Sequence, residues 1–309
     1  MSKKRVVIVG GTGYLGQHLL RSFADNLESR FPLALAFTHR STPPPQVLLN
    51  AIHEALPFYV DLSTGDGLSA ISNAFGQSGW RGSNSQHMYH LSFKLVVICG
   101  ELFSPPKKAP DVVINCAALS VPRVCEMDQE AAMSINVPTA LVKWLSSFGE
   151  GTLLIHLSTD QVYDGTKSFY KEEDETVPVN VYGKSKVEAE RYISANCRSF
   201  AILRSSVIYG PQTISPVPKS LPIQWMDSQL SKGEALGFFH DEFRCPVFVK
   251  DLVGVIQILT TQWISEVDRG VKSPSDISMD ISKLIQTTGI SPTRYTEGVR
   301  LTLEAEDRP

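Results

Sequence analysis

Tyr182 and Lys186 lie four positions apart in Tyr182-Gly183-Lys184-Ser185-Lys186, and a helix over this segment puts both on one face. An ammonium beside a phenol favours the phenolate. The pair therefore reads as a tyrosine acid with its pKa brought down from about 10, placed to protonate a carbonyl oxygen. Thr159, in Ser158-Thr159-Asp160-Gln161, leaves the carboxyl end of an expected strand, where its hydroxyl can hold the same oxygen. Asn136 has two readings, an amide that fixes a water relaying protons to Lys186 or an amide bonded to nearby backbone. Arg244 can bind a substrate diphosphate or form an ion pair between lobes.

A second cluster would hold the partner of such a proton donor. Gly10, Gly13 and Gly16, with Thr12, Tyr14 and Leu15 between them, have the spacing of a dinucleotide-binding turn between a strand and a helix. Gly10 permits the tight turn, Gly13 lets a pyrophosphate approach the backbone, and Gly16 lets helix and strand pack closely. The second strand ends in Phe37-Thr38-His39-Arg40-Ser41, without the acidic residue that accepts the ribose hydroxyls of NAD. Arg40 can instead pair with a 2′-phosphate, so NADP is the expected cofactor; a solvated arginine at a loop start is the alternative. Asp61 either bonds the adenine amine or caps a turn.

These residues need a frame that brings them together. Short apolar runs at 5–9, 33–37, 58–60, 112–115, 152–157 and 200–203 read as buried strands. Helical spacing covers 14–27, 131–148 and 182–196. The alternation predicts an α/β Rossmann-type fold, a doubly wound parallel sheet with its ligands beyond the carboxyl ends of the strands. Residues 1–210 form this NADP-binding domain, and the Pro-rich sequence of 211–309 a smaller C-terminal substrate-binding lobe. One stretch does not fit: 78–109 occupies a place where a loop of about 2 to 6 residues would suffice. It reads as a lid or partner-binding insert, or as a foreign segment such as translated intron; Leu95 to Cys99 is a rival strand, and His87 and His90 within it carry little weight as metal ligands.

Composition narrows the function classes. A net charge of -3 over 309 residues gives no basic footprint for a phosphate backbone, which argues against nucleic acid. Five cysteines, an odd number with no CxxC pair, signal neither a zinc site nor a complete disulfide framework. The first apolar run ends in glycines, far short of a signal sequence or a membrane span, so a reduced cytoplasmic protein is expected.

The segments VIVGGTGYLG, DVVINCAA, STDQVYDG, PVNVYGKSK and ILRSSVIYGP resemble the extended short-chain dehydrogenase/reductases. Within them, DEFRCPVFVKDL and SPSDISMDISKLIQTTGI resemble the branch that holds dTDP-4-dehydrorhamnose reductases and the regulatory β subunit of methionine adenosyltransferase. The resemblance covers about 4–77, 110–262 and 268–305. It implies Thr159, Tyr182 and Lys186 as a catalytic triad with Asn136 as fourth member, and Ala117 and Ala118 beside the cofactor. It implies either NADPH-dependent reduction of a keto group on a nucleotide sugar, or a NADP-binding regulatory subunit docked on the methionine adenosyltransferase catalytic subunit. A dehydratase of this superfamily usually carries Asp-Glu after the threonine; Gln161 here favours reduction, since an amide is no general base. Two departures stand out. The strand and helix the family carries around 263–271 are missing, which leaves the substrate lobe incomplete, and Pro122-Arg123-Val124-Cys125-Glu126 replaces a VDKAE-like run.

Overall fold

The computed structural model describes residues 3–25, 32–40, 43–76, 109–149, 151–217, 221–233, 237, 242–265, 276–277, 281–293 and 295–306. Residues 78–108 of the insert, with its two histidines and its rival strand, and residues 266–271 lie outside the described residues.

The apolar runs form strands β1 (Lys4–Val9), β2 (Leu33–His39), β3 (Leu56–Tyr59), β4 (Val112–Asn115), β5 (Leu153–Thr159) and β6 (Phe200–Ser205). A two-residue β9 (Asp276–Ile277) extends the sheet, whose order is β3-β2-β1-β4-β5-β6-β9, parallel throughout. A separate pair, β7 (Ile208–Tyr209) and β8 (Val247–Phe248), is also parallel. Both faces of the main sheet are covered, which is why its strands read as unbroken apolar runs. Val6, Ile8, Ile114 and Ile155 point to one face, under helices α1 (Tyr14–Asp25) and α9 (Val249–Ile264). Val7, Val9, Val113 and Leu154 point to the other, under α3 (Leu68–Gly76), α6 (Thr139–Ser146) and α7 (Val181–Asn196).

The single helix expected over 131–148 is two. After α5 (Gln129–Asn136), Val137 is extended at φ -84° and ψ 110°, because the ring of Pro138 denies the preceding residue a helical backbone. Short helices α2 (Gln46–Ala51) and α4 (Pro122–Met127) went unread in the sequence, being barely more than one turn each. Beyond Gly210, α9 and β9 return to the main sheet, whereas α8 (Pro222–Ser231) and α11 (Tyr295–Glu306) cluster with β7 and β8 around Tyr209, Ile223 and Phe248.

Helix α1 is tied to this second cluster by a polar seam. Gln17 bonds Ser215 through both its amide oxygen and its amide nitrogen, and Tyr14 donates to the carbonyl of Pro211 at 3.0 Å. His18 Nε2 lies 3.2 Å from the same carbonyl. Burial is the main reason its pKa falls from 6.5 to about 4. The folded state thus refuses a proton that the unfolded chain takes up below about 6.5, so this contribution to stability is present above 6.5 and lost as pH falls towards 4. At pH 5 the loss is about 2 kcal/mol at 1.36 kcal/mol per unit. Urea midpoints at pH 7 and pH 5 should show it, and His18→Gln, whose amide still donates to Pro211, should remove that part of the difference.

Candidate active site

The sheet order reverses direction between β1 and β4, and the site opens at that switch point, beyond the carboxyl ends of the strands. Strand β1 ends in a turn that Gly10 makes at φ +81°, and strand β2 closes it: the Gly10 N–H donates to Thr38 Oγ1 at 3.0 Å, and the Gly11 N–H to the Thr38 carbonyl at 3.0 Å. Gly16 does what its spacing predicts, since a Cβ there would lie 2.3 Å from the Gly10 carbonyl oxygen. Gly13 faces a cavity of about 770 Å³.

That cavity gathers most of the predicted residues. Gly10, Thr12, Gly13, Tyr14 and Leu15 line one wall, Arg40 stands exposed at one end, and Ala117 and Ala118 follow β4. Thr159, Tyr182, Lys186 and Arg244 line the rest. Three predicted residues are not on its lining. Gly16 serves packing, as above. Asp61 Oδ1 accepts from the Ser63 N–H at 2.9 Å and the Ser63 hydroxyl at 2.6 Å, so the carboxylate caps its own turn and these bonds hold its pKa below the usual value. Asn136 accepts from the Leu119 N–H at 2.7 Å and gives its amide hydrogens to the Leu119 carbonyl at 3.0 Å and Ser185 Oγ at 2.8 Å. The Asn136 side chain thereby clamps the backbone at Leu119 to α7.

The helix that carries the tyrosine is fixed at its start. Asn180 Oδ1 accepts from the Gly183 N–H at 2.7 Å as an N-cap, while Asn180 Nδ2 donates to Gln161 Oε1 at 2.8 Å. A Cβ on Gly183 would come 2.1 Å from the Gln161 carbonyl oxygen, so only glycine lets the threonine loop sit against the helix. Thr159 and Tyr182 thereby line the same cavity, with the Thr159 hydroxyl donating to Asp160 Oδ1 at 3.1 Å and accepting from the Gln161 N–H at 3.3 Å.

The electrostatics differ from the expectation in one respect. Tyr182 is pushed up to about 12, by burial first, with the nearby Thr159 hydroxyl only partly offsetting it. The lysine does not bring it down because Lys186 Nζ bonds His156 Nε2 instead, at 3.2 Å. Lys186 is fully buried, and desolvation lowers it from 10.5 to about 8 despite the nearby carboxylate of Glu190. Glu190 is itself held by Arg204 Nη2 at 2.7 Å and by Ser158 Oγ. Cys116, on the cavity wall, has its thiol raised to about 12 by burial. Arg244 Nη1 lies 3.9 Å from Asp160 Oδ2 and its Nη2 3.2 Å from Glu242, which places a partly exposed guanidinium at the cavity edge.

His156 and Asn115 were missed in the sequence. The signal was present in Leu153-Leu154-Ile155-His156-Leu157, a polar ring inside an otherwise apolar strand, but the strand pattern names no partner for it.

The model of the RmlD substrate binding domain matches residues 104–273, more than half of the chain. The chain belongs to the RmlD substrate-binding domain family. Among curated relatives, the methionine adenosyltransferase 2 subunit beta of Danio rerio is 35% identical over 146 residues, 47% of this chain and 44% of that protein. A dTDP-4-dehydrorhamnose reductase of Sinorhizobium fredii is 30% identical over 158 residues, 51% of each. The chain thus spans about half the length of the curated relatives it matches. In fold it is similar to the dTDP-glucose 4,6-dehydratase DesIV of Streptomyces venezuelae, with a TM-score of 0.68 at 18% identity over 98% of both chains. The resemblance therefore holds at the level of family for the branch with dTDP-4-dehydrorhamnose reductases, and beyond it at the level of fold. Among the described residues no helix is long and apolar enough to cross a membrane.

Proposed function

We propose that the cavity binds NADP and that the chain reduces a keto group on a nucleotide sugar. One observation carries this reading: the glycine turn, Thr159, Tyr182 and Lys186 all open into the same cavity. The residues present fit the cofactor. A Cβ on Gly10 would meet Ala117 at 3.0 Å, so the turn lies close against the β4 loop and leaves a wall of backbone for a diphosphate. Thr12, Gly13, Tyr14 and Leu15 would hold that diphosphate, Arg40 the 2′-phosphate, and Lys186 the nicotinamide ribose. When bound, the cofactor supplies hydride.

The chain supplies the proton and the geometry. A tyrosine pushed up to about 12 stays protonated throughout the neutral range, which suits a donor to the carbonyl oxygen in the reductive direction. Thr159 lines the same cavity as that hydroxyl, where its own can hold the carbonyl oxygen. Gln161, tied to Asn180, offers no base for elimination.

A second reading is favoured by the relatives. Curated proteins named methionine adenosyltransferase 2 subunit beta match at 32–35% identity against 30% for the reductase. In this reading the same cavity holds NADP without turnover, and the chain docks on the methionine adenosyltransferase catalytic subunit.

Both readings require the cofactor, so thermal melts with NADPH and with NADH come first. At about 100 times the dissociation constant, NADPH should add about 2.7 kcal/mol, several degrees for a chain of this size. Arg40→Ser should remove the preference for NADPH over NADH, weakening NADPH about ten- to a hundredfold through the loss of a charged contact of about 1.5–3 kcal/mol. A transition that answers to neither nucleotide would overturn the cofactor reading.

A further inference from the structure

We infer that His156, backed by Asn115, is a positioning residue that sets the proton state of Lys186, through a hydrogen-bond chain that accepts the lysine as a neutral amine and opposes its ammonium. The chain is built by the register of the sheet. Asn115 on β4 pairs with His156 on β5, and Lys186 reaches the ring from α7 on the face that both side chains share.

The direction of each bond follows from the fixed end. The Ala117 backbone N–H can only donate, and it does so to Asn115 Oδ1 at 3.2 Å. That leaves the Asn115 amide hydrogens facing His156 Nδ1 at 3.1 Å, so Nδ1 accepts. Burial drives the imidazole pKa well below 6.5, so the ring carries one proton, and with Nδ1 accepting it must sit on Nε2. The Nε2–H then points at Lys186 Nζ, 3.2 Å away. A neutral amine has a lone pair to accept it; an ammonium has none, and would set two donors against each other.

The other groups facing Nζ do not reverse this. Glu190, one turn along α7, favours the ammonium but is committed to Arg204 and Ser158, and Cys116 after β4 stays a thiol. The lysine's fall to about 8 is in keeping with a site that tolerates the neutral form. The consequence for turnover rests on the reductase reading: a lysine that titrates near neutrality can exchange a proton with the tyrosine beside it, and His156 tunes when it does so.

The test reads Lys186 itself, without cofactor. A chain labelled at lysine ¹³Cε is titrated from pH 6 to 10 by NMR, the Lys186 signal being the one lost in Lys186→Met. In the parent the midpoint should fall near 8. Asn115→Asp gives a carboxylate that accepts from both the Ala117 N–H and Nδ1–H, which frees Nε2 to accept from the ammonium. Its midpoint should rise by at least one unit. His156→Phe removes the opposing donor, so its midpoint should rise. A lower midpoint in His156→Phe would show that the ring had been accepting from the ammonium and would overturn the inference, as would an unshifted midpoint in a folded His156→Phe or Asn115→Asp. A residue that only packs would change the melting temperature and leave the midpoint in place. Failure of NADPH to bind in a parallel titration would count against the cofactor reading alone, since the lysine midpoint is measured without it.

Discussion

Tyr182→Phe should reduce NADPH-dependent turnover of a 4-keto nucleotide sugar by about 10²- to 10⁴-fold, the usual contribution of a positioned proton donor. The substitution deletes one oxygen from a buried ring on the cavity wall, and leaves the glycine turn and Arg40 untouched. The stabilisation conferred by NADPH should therefore persist. Loss of nucleotide oxidation at 340 nm with an unchanged NADPH-induced melting shift is the expected result. The same variant separates the two proposed functions. If the chain acts by docking on methionine adenosyltransferase, stimulation of that enzyme should survive the loss of the hydroxyl, and no turnover should be found in the parent. The pH dependence carries a sign as well. A tyrosine held near 12 contributes no limb to the rate profile between pH 6 and 9, so any change near pH 8 belongs to Lys186.

The frame and most of the candidate site could be read from the sequence because both rest on local patterns. A strand buried on two faces must be apolar at every position, so Val6 to Val9 and Val112 to Ile114 declared themselves, and the glycine spacing marked the turn that follows the first of them. Tyr182 and Lys186 share a helix face for the same reason. What periodicity does not carry is the direction a long side chain takes. Lys186 has four methylenes, and the register of β4 against β5, which no local pattern shows, puts His156 within its reach. The expected lowering of the tyrosine pKa failed at that step. Pro138 is a different case: the helical spacing of 131–148 was real on both sides of it, but a proline between two correctly patterned turns outweighs the pattern.

Lys186→Met should make the folded chain more stable at pH 7 while abolishing what the site does. A lysine lowered from 10.5 to about 8 is charged at pH 7 in a place that disfavours the charge, at a cost of about 3 kcal/mol for the shift. Methionine fills a similar volume without that cost, and the Nε2–H of His156 left without a partner returns about 1 kcal/mol of it. The expected gain is about 2 kcal/mol, a large share of a total stability of about 5 to 15. Its pH dependence identifies its origin. The unfolded chain binds the proton up to about 10.5 and the folded chain only up to about 8, so the parent gains stability as pH rises between those values. The advantage of Lys186→Met should be full at pH 7 and shrink to nothing by pH 10, once the parent lysine has become the neutral amine that its site accepts. Urea midpoints at the two pH values measure this directly. A variant less stable than the parent at pH 7 would mean that the ammonium is stabilised where it lies, and that the hydrogen-bond chain from Ala117 runs in the opposite direction. A destabilising lysine on the wall of this cavity is best understood as a group kept for its chemistry, since a methionine of similar volume would carry no desolvation cost there.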